Sequence, residues 1–327
     1  MKRIVILLLV LAAPGAFAQD CPDDDYKCQV NAYKNDTDAD SIFRLAYAYG
    51  ELKRFDDAVR EYSRYIELVP HDALAYYNRA NDLAELKDHR RAIDDYTRAI
   101  ELDPSDPDAL NNRAYSRCEI GDHEGAMEDY AAAIVLRPGD ADLYYSRGYA
   151  YNELGEKGLA IADYSKVLEL KPNYANAYFQ RAYARSDLGD DASAVVDLNE
   201  AIRLAPEDAD SFFNRGHAYF NLGEYEKSVS DYSRAISLNS SDANAYFNRG
   251  RAHYELGNYR DAVKDFSRYI KKNPNDPDCY YWRARAYEHL GKMKKAEADD
   301  RKGAELPRLD ENVRSGKDSD FAVEAVR

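Results

Sequence analysis

Beyond its first eighteen residues the chain has no apolar run long enough to cross a membrane as a helix. It has no glycine loop of phosphate-cradling spacing and no nucleophile elbow. Its six histidines, His71, His89, His123, His217, His253 and His289, form no pair with one another or with a cysteine at i,i+3 or i,i+4, the spacing that puts two metal ligands on one helix face. No metal, cofactor or catalytic set is therefore expected. Basic residues are outnumbered, with 45 Lys and Arg against 60 Asp and Glu and a formal net charge of −15. A chain that acidic does not hold a nucleic-acid backbone without a local basic stripe. Cysteine is scarce too. Of the four, Cys21 and Cys28 flank an acidic hexapeptide, a spacing that suits a local disulfide in an oxidising compartment. Cys118 and Cys279 fall in the third and eighth of the chain's repeated units, too far apart along a solenoid to expect pairing, and read as small fillers.

The one apolar run lies at the start. Lys2 and Arg3 precede residues 4–13, which are apolar but too short for a bilayer, and Ala16-Phe17-Ala18 offers a small-residue cleavage site. Residues 1–18 thus read as a signal peptide of a periplasmic or secreted protein, with Gln19 opening the mature chain; an uncleaved anchor is the other reading. Gln19 and Asp20 separate the cleavage site from Cys21, so a lipid-anchored start is not expected.

What is present is repetition. Eight consecutive units of 34 residues start at Ala39, Ala73, Pro107, Ala141, Ala175, Ala209, Ala243 and Pro277, without insertion or deletion. A fixed period of this length marks one supersecondary unit stacked into a solenoid. Each unit reads as two helices. Asp72, Asp106, Asp140, Asp208, Asp242 and Asp276 stand where a side chain caps the first helix. That helix closes at a glycine such as Gly155 or Gly189, replaced by Lys53 and Lys87 in the first two units. The second ends before a proline at position 32, as in Pro70 and Pro104. Position 8 is always Ala or Gly and position 20 Ala or Ser, while positions 4 and 24 carry rings and aliphatics. Small residues let the helix pair approach while the large ones fill the space around it.

Unit four, with Tyr144, Gly148, Tyr151, Gly155, Ala160, Tyr164 and Pro172, resembles the motif of the tetratricopeptide repeat family, and the likeness extends over residues 39–310. The resemblance implies an all-α, right-handed superhelical solenoid whose concave wall is built by the first helices. It also implies a protein–protein interaction role. Residues 19–38 form a lead-in with a helix expected over 26–34, and 311–327 a tail with a last short helix over 321–326.

Two positions depart from the family pattern. Position 7 is arginine in seven units, Arg79, Arg113, Arg147, Arg181, Arg215, Arg249 and Arg283, with Leu45 in the first. Position 23 is acidic throughout, as Glu61, Asp95, Asp129, Asp163, Asp197, Asp231, Asp265 and Asp299. Charges recurring among packing positions need partners. The expectation is an ion-pair ladder between neighbouring units, Glu61 with Arg79 and so on to Asp265 with Arg283. Pairing within a unit is the alternative.

Positions 2, 5, 9, 12 and 13 share one face of the first helix, which the resemblance places on the groove. The candidate peptide-binding residues are Tyr77, Asn78, Asn112, Tyr115, Tyr145, Tyr149, Phe179, Tyr183, Phe213, Asn214, Phe247, Asn248, Arg251 and Tyr281. Position 13 adds an acidic row from Glu51 to Glu255. Tyrosines give contact area at low entropic cost and amides bond a peptide backbone, so the expected partner is an extended polypeptide. Packing between neighbouring first helices is the other reading of the position 5 and 9 rings. The runner-up function is binding of a cell-wall glycan, since tyrosine faces also stack on sugars, and self-association through the last unit is open. The lysines with which some family members clamp acidic tails are absent at positions 2 and 5.

Overall fold

The computed structural model describes residues 21–22 and 24–307. The expected signal peptide 1–18 and the tail 311–327 lie outside the described residues. Among those residues there are seventeen helices and no strand, and no helix is long and apolar enough to cross a membrane.

A lead-in helix, α1 (Tyr26–Tyr33), precedes eight pairs. The first helices are α2 (Ala39–Glu51), α4 (Ala73–Glu85), α6 (Pro107–Glu119), α8 (Ala141–Glu153), α10 (Ala175–Asp187), α12 (Ala209–Asn221), α14 (Ala243–Glu255) and α16 (Pro277–His289). The second helices are α3 (Phe55–Leu68), α5 (His89–Leu102), α7 (His123–Leu136), α9 (Lys157–Leu170), α11 (Asp191–Leu204), α13 (Tyr225–Leu238), α15 (Tyr259–Lys272) and α17 (Met293–Glu305). The capping aspartates do what their position requires. Asp72, Asp106, Asp242 and Asp276 accept the backbone N–H two residues on at 2.8–3.0 Å. The linker is tied down as well, since the Tyr280 hydroxyl donates to the Pro274 carbonyl at 3.0 Å and Tyr144 does the same to Pro138 at 3.2 Å.

Two compact units divide the described chain, one running to Ala150 and the other starting at Tyr151. In the first, α1 packs on α2, and each helix from α2 to α6 packs on the next. In the second the same holds from α9 to α17. Within each unit successive first helices also touch, α2 with α4 and α4 with α6, then α10 with α12, α14 and α16 in turn, whereas no two second helices do among the described residues. The first helices are therefore the inner wall of each α-solenoid unit and the second helices its outer wall.

The core of a repeat is one ring in a socket of small residues. Tyr62, Tyr96, Tyr232 and Phe266 are fully buried at position 24, and Ala58, Ala92 and Ala262 at position 20. In repeat six Ser228 takes that place and its hydroxyl donates to the Gly216 carbonyl at 2.7 Å, so the polar atom is satisfied. The turn after each first helix is left-handed. Six repeats use glycine there, with φ from 68° to 82°, while Lys53 and Lys87 hold φ of 59° and 64°. A β-carbon in that conformation costs about 1–2 kcal/mol, partly offset by glycine's larger unfolded-state entropy. Lys53→Gly and Lys87→Gly should each stabilise the fold by about 0.5–1 kcal/mol, read as a rise in the urea midpoint.

Cys21 and Cys28 are joined by a disulfide that closes the start of α1, with their Cα atoms 5.7 Å apart. Cys279 is buried and Cys118 half-buried, both unpaired, and burial lifts the Cys118 thiol to about 11 and the Cys279 thiol higher still. Both are weak nucleophiles in the fold. Alkylation in denaturant without reductant should therefore label two cysteines, and four after reduction; mass spectrometry counts them.

The arginine and acid positions pair differently from the expected ladder. Arg79 is bidentate with Asp95, Arg113 with Asp129, Arg181 with Asp197, Arg215 with Asp231, Arg249 with Asp265 and Arg283 with Asp299, at 2.7–2.9 Å. Each pair joins the two helices of one repeat, so the between-repeat ladder is replaced by within-repeat clamps. The third arm of each arginine reaches the preceding repeat, where a neutral oxygen at position 25 accepts it. Arg79 donates to Ser63 at 2.9 Å, Arg113 to Thr97, Arg181 to Ser165 and Arg249 to Ser233 at 3.0 Å, and Arg215 to Asn199 at 2.8 Å. A fork of five donors suits this double duty, and a lysine would not replace it. Glu61, whose repeat has Leu45 in place of the arginine, is met instead by Arg60 at 3.1 Å and by Arg64.

Candidate binding surface

Position 5 does not line the inner wall. Phe43 packs edge-on against Tyr62 and Tyr65 and Phe213 against Tyr232, while Tyr77 lies tilted against Tyr96 and Phe247 against Phe266 and Tyr269. Phe179 joins the core around Leu198, and Tyr281 lies against Gly303. These contacts are with the second helix of the same repeat, and the neighbouring first helix adds to them at Phe213, which packs beside Ala245 and Tyr246, so the packing reading holds in part. The cause is helical phase. At 100° per residue, position 5 sits about 60° around the helix from position 8, the small residue facing the second helix, whereas position 9 sits about 100° away on the other side. Phe179, Phe213, Phe247 and Tyr281 are thus mainly packing residues.

In the first unit Tyr77, Asn78 and Asn112 are buried, which corrects their assignment to an open groove. Asn112 donates to Asn81 at 3.0 Å and to the Tyr77 hydroxyl at 3.2 Å, and the buried Tyr96 hydroxyl donates to Asn81 at 2.6 Å. They form a polar network inside the wall, of the kind that fixes packing when satisfied. Burial drives the Tyr77 and Tyr96 hydroxyls far above the usual phenol range. Tyr115, Tyr145 and Tyr149 are half-buried. The Tyr115 ring meets His89 edge-on, and burial raises its hydroxyl to about 12.

The second unit keeps an open inner face. Tyr183 is exposed there, with the Lys157 ammonium 5.3 Å over its ring and paired at 2.7 Å to Asp187. Farther along, Arg251 is held between two rings, 4.6 Å from Phe220 of the preceding repeat and 5.5 Å from Trp282 of the next. Arg285 lies 5.9 Å from the same indole. Tyr254 meets Trp282 edge-on at 5.4 Å and hydrogen-bonds His289 at 3.1 Å, and Tyr259 stacks on His289 at 4.2 Å. Desolvation lowers the His217 and His253 imidazoles below the ordinary value. Asn214 donates back to the Asp210 carbonyl, and Asn248 stays half-buried beside Arg251 in sequence register. The acidic row is solvent-facing at Glu85, Glu119, Glu153, Asp187 and Glu255.

Phe220, Tyr254 and Trp282 were not among the sequence candidates. A signal for them exists. Position 12 runs Gly50, Ala84, Cys118, Asn152, Ser186 and then turns aromatic at Phe220 and Tyr254, and position 6 changes from Asn248 to Trp282, the only tryptophan in the chain. The surface is marked by where the repeats stop being alike.

Family models described as TPR repeat match residues 114–155, 182–223 and 216–257. Models described as tetratricopeptide repeat match 40–72, 73–106, 95–128, 141–174 and 247–307. No curated protein matches the chain. Among solved structures, the C-terminal part of a TPR repeat-containing protein from Cytophaga hutchinsonii is 18% identical with a TM-score of 0.61, covering 74% of this chain and 99% of that one. A tetratricopeptide repeat protein from Parabacteroides merdae is 18% identical with a TM-score of 0.56, covering 74% and 96%. Both likenesses concern the fold.

Proposed function

The chain belongs to the tetratricopeptide repeat family, and from that premise we propose that it is a non-enzymatic scaffold whose inner wall binds an extended polypeptide. The observation that carries this is the second unit's inner face. Tyr183 is exposed on α10, and farther along half-buried Arg251 and Trp282 lie on the successive first helices α14 and α16, with donor groups left over for a ligand. Aromatic and arginine side chains of this kind supply most of the energy of protein contacts. The glycan alternative has less support, because a sugar needs a bare ring face. Lys157 covers Tyr183, Arg251 covers Phe220 and Trp282, and His289 covers Tyr259.

We place the protein outside the cytoplasm, and the Cys21–Cys28 disulfide supports an oxidising compartment. The binding test is a library of immobilised peptides probed with the whole protein, alongside purified cell-wall glycan. The expected result is selective peptide capture that Tyr183→Ala weakens about tenfold and the outer-wall change Val196→Ala leaves alone. Capture by glycan only, or equal loss in both variants, contradicts the reading. Sedimentation at several concentrations tests self-association separately.

A further inference from the structure

Arg251 and Arg285 are anomalous in this protein. The chain carries a net charge of −15, and its position 7 arginines are clamped by carboxylates. These two make no ion pair, although Glu255 and Glu288 stand on their own helices. What holds them is aromatic: Arg251 sits between Phe220 and Trp282, and Arg285 sits beside Trp282. Cation–π contacts orient a guanidinium without neutralising it. The Nε of Arg251 is buried and makes no hydrogen bond. The titratable groups that feel the Arg251 charge are His217 and Tyr232, both uncharged at neutral pH since burial lowers the imidazole and raises the phenol.

We propose that this patch is a subsite for an acidic segment of the bound polypeptide, with two Asp or Glu side chains two residues apart seated on Arg251 and Arg285 across the Trp282 indole. The inference rests on the inner-wall reading above and names the chemistry of part of its ligand. Spacing admits the motif. The guanidinium carbons lie 5.5 and 5.9 Å from one indole centroid, so no more than about 11 Å separates them. An extended chain rises about 3.3 Å per residue and puts residues i and i+2 on the same side about 7 Å apart, which the length of two carboxylate side chains matches. Guanidinium–carboxylate hydrogen bonds are charge-assisted and strong where water is partly excluded.

Trp282 is the chain's single tryptophan and so reports on the site directly. The experiment titrates the full-length protein with a peptide blocked at both ends and carrying Asp-Ala-Asp among neutral residues, following indole fluorescence. Saturable change is expected, weakened tenfold or more by Asn-Ala-Asn in the peptide or by Arg285→Gln in the protein, and weakened further by salt. Arg285 is exposed, so its replacement leaves the fold intact, and Arg251→Gln provides the second arm. Several results would overturn the inference: no indole response, equal binding of the Asn peptide, response only to peptides with a free C-terminal carboxylate, or response to inorganic phosphate as strong as to the peptide. If library peptides still bind through Tyr183 while the indole stays silent to Asp-Ala-Asp, this inference alone fails. If both vanish, the inner-wall reading fails with it.

Discussion

Replacing Asp197 by alanine is expected to lower the unfolding free energy by about 3–5 kcal/mol, the cost of breaking a buried ion pair by removing one partner. Asp197 is 2% exposed and accepts from two arginines, bidentate from Arg181 and again from Arg185 at 2.7 Å. Its loss leaves two partly buried guanidinium groups without a counter-charge. Asp265 neutralises only Arg249, so Asp265→Ala should cost less. The pair itself adds little net stability, since both ions give up water to form it. Arg249→Leu combined with Asp265→Leu should therefore be far milder than either change alone, with a coupling of about 1–3 kcal/mol in a double-mutant cycle. Urea unfolding of the four proteins measures this. Additive losses would mean that the clamp is not the unit of interaction.

The second large effect concerns the socket of repeat seven. A β-carbon built on Gly250 falls 2.7 Å from the Phe266 ring, closer than real contacts allow, whereas at Gly216 the nearest approach to Tyr232 is 3.2 Å. Gly250→Ala should cost about 1–3 kcal/mol by overpacking, and Gly216→Ala less. Phe266 is fully buried, and Phe266→Ala should cost about 3–5 kcal/mol through the cavity it leaves. Repeat five shows the remedy, since Ala182 there faces Leu198 and both are buried. Gly250→Ala with Phe266→Leu recreates that combination and should recover most of the loss. Thermal unfolding ranks the four variants. An unchanged Gly250→Ala protein would show that the ring has room to retreat.

Helices, turns and small sockets are legible in one copy of the repeat and confirmed by seven more, because each rests on local chemistry: a capping aspartate, a left-handed glycine, an alanine under a ring. The ion pairs are legible as residues but not as partners. An arginine at position 7 and an acid at position 23 recur together whether they pair sixteen residues apart, as Arg79 and Asp95 do, or with the next repeat. Periodicity makes the two patterns identical except at the ends. Repeat one suggests pairing between repeats, because Glu61 has no arginine of its own, yet neighbouring Arg60 and Arg64 satisfy it locally. The position 25 hydroxyls and the Asn199 amide carry the arginine's hydrogen bond between repeats, and small polar residues on a helix give no warning of that.

The binding surface is less legible still. Position 5 rings look available on a helical projection but turn toward the second helix, and the buried network of Tyr77, Asn81, Tyr96 and Asn112 depends on packing no single repeat displays. Arg251, Trp282 and Phe220 come together from three different repeats. Only the breaks in the pattern at positions 6, 9 and 12 point to them.

The most direct measurement is a hydroxyl-radical footprint of the full-length protein saturated with its tightest library peptide. Inner-wall Tyr183 and Trp282 should lose reactivity, while the exposed outer-wall Val135 (79% exposed) and Val196 (61%) keep theirs. Protection of Val135 and Val196 with Tyr183 and Trp282 still open would place the ligand on the second helices and contradict the account.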